Sequence, residues 1–136
     1  MPVIAARAGF IRGAAAELPE NTLPGFERAI SYGAHALEMD VQMSADGVVV
    51  VSHDPDGQRM CRESKAIKAT SFAELATWDA GWGFEKDGDR PFADSGYRIP
   101  RFAEILDAFP DHIINVDLKQ SQPSMVAQIM KIVRQA

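Results

Sequence analysis

Residues 37–43, Leu37-Glu38-Met39-Asp40-Val41-Gln42-Met43, alternate strictly between apolar and polar side chains. Read as a β-strand, Leu37, Met39, Val41 and Met43 share one face, and Glu38, Asp40 and Gln42 share the other. At a rise of roughly 3.3 Å per residue the two carboxylates project in parallel about 6 to 7 Å apart, close enough to share one divalent cation. The plain alternative is a surface strand whose acidic face lies in water. A second segment of the same design argues for the site. In Ile113-Ile114-Asn115-Val116-Asp117-Leu118-Lys119, the side chains of Ile114, Val116 and Leu118 lie on one face and those of Asn115, Asp117 and Lys119 on the other.

The intervening chain alternates strands with helices, which points to α/β architecture. Residues 3–11 are weakly strand-like and lead into a loop through Arg12 and Gly13. Asn21 or Thr22 is placed to cap a helix starting near Pro24, with Leu23, Phe26 and Ile30 at helical spacing and Gly33 at its end. After the turn Ser44-Ala45-Asp46-Gly47, four consecutive valines (48–51) suggest a strand buried on both faces. Such burial is the habit of parallel sheets, whereas so short a turn suggests a hairpin, and the sequence leaves both open. Residues 56–68 read as a polar loop. Ser71 caps a short helix through Trp78, residues 81–97 are irregular, and Pro100 precedes a helix striped by Phe102, Ile105, Leu106 and Phe109. A last helix over residues 123–134 is expected to bury Val126, Ile129, Met130 and Val133.

Burying unpaired charges costs several kcal/mol each, so Glu38, Asp40, Asp117 and Lys119 must face one another, a metal or water. His53 ends the valine strand and joins them. Strand ends of an α/β barrel allow all three arrangements and are where such barrels carry their active sites. Hard carboxylate oxygens suit Mg²⁺ or Ca²⁺, and Lys119 beside them would offset charge on a phosphate. His53 can protonate a leaving alkoxide near neutral pH. Together these groups suggest phosphoryl chemistry rather than acyl or hydride transfer.

Six short motifs extend this set: Pro19-Glu20-Asn21-Thr22, Glu38-Met39-Asp40-Val41, Asp46-Gly47 before the valines, His53-Asp54-Pro55, Ile99-Pro100 ahead of an amphipathic helix, and Asn115-Val116-Asp117-Leu118-Lys119. In order and spacing, over nearly the whole chain, they resemble the glycerophosphodiester phosphodiesterases of the PLC-like superfamily. The resemblance implies the first half of a TIM (β/α)8 barrel, about four strands with their helices, so that residues 1–136 form a partial domain. It implies metal-dependent hydrolysis of glycerophosphodiesters to glycerol 3-phosphate and an alcohol, with lysophospholipids as substrates of some relatives. It makes Glu38, Asp40 and Asp117 the metal ligands, Asp117 standing where many members have Glu, and Glu20 a supporting member of that cluster. His53 matches one of two catalytic histidines, while Lys119 and Arg12 match phosphate-contacting positions.

Two departures qualify the expected activity. The family opens with His-Arg-Gly roughly nine residues before the Glu of its Pro-Glu-Asn-Thr motif. In this chain Ile11-Arg12-Gly13 keeps that spacing with isoleucine in place of histidine, and an alternative register at Ala6-Arg7-Ala8 lacks the histidine as well. Loss of a positioned acid/base group typically costs about 10² to 10⁴ in rate. The second departure is length, because a TIM barrel takes about 250 residues and this chain has 136. A half-barrel leaves sheet edges and an inner face open, so a homo-oligomer is expected if the chain folds as given; a fragment and a truncated product are the alternatives.

Composition narrows the partners. A net charge of −5 with no run of Lys or Arg excludes nucleic acid as the main partner. The single Cys61 cannot form an internal disulfide, and no apolar run approaches a membrane span, which leaves the cytoplasm as the expected compartment. His35 and His112 start elements without metal-spaced partners and read as surface histidines. Two functions remain: a phosphodiesterase impaired by Ile11 and by its length, or a degenerate relative that binds phosphate or oligomerises.

Overall fold

The computed structural model describes residues 12–136. In chain order its elements are α1 (Leu23–Ser31), β1 (Ala36–Met43), β2 (Val49–Val51), β3 (Asp56–Gly57), α2 (Gln58–Cys61), β4 (Glu63–Ala66), a 3-10 turn at Ile67–Ala69, α3 (Phe72–Leu75), α4 (Phe102–Ala108), β5 (Ile113–Leu118) and α5 (Val126–Gln135). β1 is the middle of a three-stranded sheet ordered β2-β1-β5. It pairs antiparallel with β2, Val41 opposite Val51, and parallel with β5, Asp40 beside Asp117 and Glu38 beside Asn115. The fold is mixed α/β, and among the described residues the sheet does not close into a barrel. The weak strand expected over residues 3–11, and Ile11 with it, lie outside the described residues.

The start of α1 separates two roles that the sequence left to either of two residues. Thr22 is the cap, its Oγ1 accepting from the Gly25 N–H at 3.4 Å. Asn21 instead turns its amide toward Asp40. The tight link between β1 and β2 is a hairpin: Ser44 N–H donates to the Val48 carbonyl at 2.9 Å, and Val48 N–H donates back to Ser44 Oγ at 2.9 Å.

The antiparallel pairing does not spare β2 from burial on both faces. Val49 and Val51 enter a core with Phe26, Leu37, Met39, Val41, Phe102, Ile105 and Met125, while Val50 enters another with Cys61, Ile67, Leu75, Trp78 and Ile99. Each fully buried side chain of this size contributes about 1.5–3 kcal/mol. The valine run therefore sits between two cores, which is why it lacks the polar alternation of β1.

The second core requires a correction over residues 56–68. Expected as a loop, they form β3, α2 and β4, with β3 and β4 antiparallel and Asp56 opposite Ala66. Their polar residues face water, while Cys61 and Ile67 anchor them inward. Gly57 makes the packing possible, since a Cβ there would fall 2.6 Å from the Trp78 ring. Helix α3 ends at Leu75, short of Trp78, which is nonetheless buried.

The last helix is also corrected. It begins at Val126, and it turns Ile129 and Ile132 to the main core behind Met125. Val126, Met130 and Val133, expected inside, are 57%, 45% and 49% exposed. A helix touching one core can bury only one stripe, and its second apolar stripe faces outward. Ile113 and Leu118 of β5 are exposed as well.

Two outcomes follow from this packing. Gly13 has φ of +81°, and a Cβ there would lie 2.7 Å from the Gly25 backbone, which a helix cannot yield. Gly13→Ala is expected to destabilise the chain by about 1–3 kcal/mol, read as a lower midpoint in urea unfolding. Burial pushes the Cys61 thiol up to about 12. Iodoacetamide at neutral pH should leave Cys61 unlabelled in the folded chain and label it fully in denaturant, as mass spectrometry would show.

Candidate active site

Three segments dock by backbone hydrogen bonds onto carbonyls of β1. Arg12 N–H donates to the Glu38 carbonyl at 3.2 Å, Ser52 N–H to that of Asp40 at 2.9 Å, and Lys119 N–H to that of Val41 at 3.1 Å. The buried Gln42 adds a fourth tie, its Nε2 donating to the His53 carbonyl at 3.0 Å. Residues predicted as site members from sequence positions 12 to 119 thus converge because β1 offers them successive acceptors.

Asp40 lies at the centre and is 2% exposed. Its Oδ2 accepts from Asn21 Nδ2 at 3.2 Å and lies 3.0 Å from Arg12 Nε, an ion-pair distance without hydrogen-bond alignment. Its Oδ1 is 3.5 Å from Lys119 Nζ. Lys119 also donates to Asp117 Oδ2 at 2.6 Å, and this bond, with the nearby Asp40 charge, raises its pKa. The lysine thus spans the two aspartates that the β1–β5 register sets side by side.

A second network flanks the first. Glu20 accepts from Arg12 Nη1 at 3.2 Å and from Arg59 at 2.6 and 3.2 Å. Arg59 also donates to both oxygens of Asp54, at 2.8 and 3.1 Å, and Asp54 Oδ1 lies 2.7 Å from His53 Nδ1. The Arg59 bonds hold the Asp54 carboxyl below the usual range, with His53 adding to the effect against the opposing pull of burial. Beside them a cleft of about 360 Å³ opens between Ala15, Glu20, Arg59, Phe84 and Lys86.

The structure therefore brings Arg12, Glu20, Asp40, Asp117 and Lys119 into one connected array and attaches His53 to it through Asp54, Arg59 and Glu20. Glu38 shares the face of Asp40 on β1, and its side chain has no partner among the described residues. The donor set suits a hard divalent cation, all oxygens and with the buried Asn21 Oδ1 lacking a hydrogen-bond partner. As the side chains stand, no three His, Cys, Asp or Glu among the described residues converge on one metal position; Arg12 and Lys119 neutralise the carboxylates instead. His35 is exposed as expected, but His112 is half-buried, its ring edge-on to Phe109 at 6.0 Å and its Nδ1 buried without a partner.

Sequence reasoning missed Arg59 and gave Asn21 only a capping role. Arg59 lay in a stretch read as loop, and nothing in its neighbourhood signals a contact with Glu20, 39 positions away. For Asn21 the polar alternative to capping was open, since Thr22 beside it could cap equally well.

Comparison with known proteins shows the family of the chain. The chain is 32% identical over 129 residues to a glycerophosphodiester phosphodiesterase of Caldanaerobacter subterraneus subsp. tengcongensis, an alignment covering 91% of this chain and 51% of that protein. It superposes with a TM-score of 0.80 on the crystal structure of a glycerophosphodiester phosphodiesterase from Agrobacterium tumefaciens, at 31% identity, over 91% of this chain and 50% of that one. An Oleispira antarctica phosphodiesterase solved in complex with the product sn-glycerol-3-phosphate matches at 0.79 and 28% identity, over 91% and 50% of the two chains. This chain thus spans about half the length of these relatives. The sequence profile of the Glycerophosphoryl diester phosphodiesterase family matches residues 12–136, and to that family the chain belongs.

Proposed function

We propose that this chain carries the N-terminal half of a glycerophosphodiester phosphodiesterase site, hydrolysing a glycerophosphodiester to glycerol 3-phosphate and an alcohol. The observation that carries the reading is the pairing of Asp40 with Asp117 across β1 and β5, with Lys119 and Arg12 at their carboxylates. Family membership supports hydrolysis of a glycerophosphodiester, and the glycerol 3-phosphate bound to the Oleispira antarctica relative supports the product.

In this reading Lys119 and Arg12 donate hydrogen bonds to phosphate oxygens as their own carboxylate contacts loosen. Lys119 serves as a point charge and Arg12 as a forked donor. His53, in its imidazolium form, gives the Nε2 proton to the leaving alkoxide as the P–O bond to the alcohol breaks, while water forms the new P–O bond and releases its proton to solvent. The family typically uses a divalent metal. Glu38, Asp40 and Asp117 would hold it, with Glu20 in support, and it would supply Lewis-acid polarisation of a phosphoryl oxygen. Lysophospholipids fit the same chemistry, since they present the same phosphodiester. Among the described residues no helix is long and apolar enough to cross a membrane.

One observation favours a second reading, a degenerate relative that binds phosphate without turning it over. Ile11 stands where the family has a histidine, and it cannot transfer a proton. Release of glycerol 3-phosphate from glycerophosphocholine by the purified chain separates the two, the first reading allowing a rate about 10² to 10⁴ below that of an intact site.

Cation linkage tests the carboxylate assignment independently of turnover. Mg²⁺ or Ca²⁺ at a hundredfold excess over its dissociation constant should stabilise the chain by about 2.7 kcal/mol, read as a rise in Tm. Asp40→Asn, checked for folding by circular dichroism, should remove that rise. An unchanged Tm with either ion across millimolar concentrations counts against a metal role for these carboxylates.

A further inference from the structure

Arg59 has no part in the roles assigned so far, yet it is the most heavily engaged cation of the array. Its Nε donates to Asp54 Oδ2 at 2.8 Å and its Nη2 to Asp54 Oδ1 at 3.1 Å. Its Nη1 donates to Glu20 Oε1 at 2.6 Å and its Nη2 to Glu20 Oε2 at 3.2 Å. Exposed ion pairs usually contribute little, but forked, two-point pairs are the exception, and here one guanidinium forks onto two carboxylates. The backbone of the next residue is also held. Gly83 N–H donates to the Met60 carbonyl at 2.8 Å, and Gly83 sits so close that a Cβ would fall 2.4 Å from Met60 Cα.

Asp54 hands this constraint on to His53. An ionised carboxylate only accepts hydrogen bonds, so the His53 Nδ1 lying 2.7 Å from Asp54 Oδ1 must carry a proton. The neutral ring then keeps its lone pair on Nε2, the nitrogen left for proton transfer. If Asp54 swung into water, the ring would lose both its orientation and this tautomer preference. Gln42 fixes the His53 backbone, not its ring. The ring is set by Asp54, and Asp54 is set by Arg59.

We propose that Arg59 is a positioning residue: by gripping Asp54 it selects the Nδ1–H tautomer of His53, and by gripping Glu20 it locks that histidine to the segment carrying Arg12. The catalytic meaning of this rests on the reading of His53 as the acid group, whose Nε2 first takes up the proton that it then gives to the leaving alkoxide; the positioning itself does not. Lysine cannot substitute, because a point charge cannot fork onto two carboxylates at once.

The test is imidazole ¹⁵N NMR on the uniformly labelled full chain, with the His53 signals assigned by their loss in His53→Gln. In the unmodified chain, above the pH at which the ring titrates, His53 is expected to be mainly Nδ1–H. In Arg59→Ala the ratio of Nδ1–H to Nε2–H should fall by about threefold or more, and Arg59→Lys should not restore it. A His53 that is mainly Nε2–H in the unmodified chain overturns the proposal, and so does a ratio unchanged in folded Arg59→Ala. Should Arg59→Ala fail to fold, the unmodified chain still decides, and Arg59→Gln, which cannot fork, replaces the variant. Hydrolysis does not enter this readout. Absence of glycerol 3-phosphate release with the Nδ1–H tautomer intact counts against the phosphodiesterase reading alone, whereas a wrong tautomer counts against the positioning alone.

Discussion

A carboxylate buried on the middle strand of the sheet is the constraint to which the surrounding structure answers. Asp40 is almost wholly removed from water, and a charge in that position is tolerable only with partners that surround it. Those partners come from three places: Arg12 before α1, Asn21 at its threshold and Lys119 after β5. Arg12 and Asn21 both adopt left-handed backbone angles, with φ of 59° and 54°. Such angles cost a non-glycine residue of order 1–3 kcal/mol and persist when surroundings over-determine them. Here the contacts to Asp40 and the bond from Asn21 N–H to the Arg12 carbonyl supply that determination. Asp40 thus shapes the loop that carries Arg12, and the electrostatics of the array cannot be separated from the folding of its rim.

The lobe over residues 56–100 adds a second layer of control. It has its own core, joined to the main one through the opposite faces of β2. What it contributes to the site is a rigidly seated guanidinium. Through Arg59 the lobe touches both the loop carrying Glu20 and the segment carrying His53 and Asp54. The aromatic contacts among Phe84, Phe92 and Tyr97, with ring centroids 5.2 and 5.1 Å apart, stiffen the far wall of the neighbouring cleft.

Much of the site was legible in the residues. The paired alternations of 37–43 and 113–119 identified Asp40, Asp117 and Lys119 as one face, and the β1–β5 register sets the two aspartates side by side. Helix starts at Thr22 and Ser71 were legible because capping is a contact across three residues. The stretch 56–68 was not, since two strands of two and four residues carry too little periodicity to rise above their polar composition. The burial of α5 was misjudged for a related reason: its sequence has two apolar stripes, and periodicity does not say which one meets a core. Pairing of Lys119 with the aspartates was one of the arrangements the sequence left open, whereas neutralisation of the carboxylates by Arg12 and Arg59 could not be read, because spacing identifies a face and not the counter-charge that will fill it.

The sequence by itself determined which side chains share a face of β1 and of β5, where the helices around them start, and the family to which the ordered motifs belong. These are consequences of local periodicity and of contacts a few residues apart, which the chain carries whatever its global shape. Only the tertiary structure decided that Asn21 serves Asp40 instead of the helix, that β2 folds back as a hairpin between two cores, and that Arg59 joins Glu20 to Asp54. Those outcomes depend on where distant segments come to rest. That is set by the buried charge of Asp40 and the shape of two hydrophobic cores, and no window of sequence contains either.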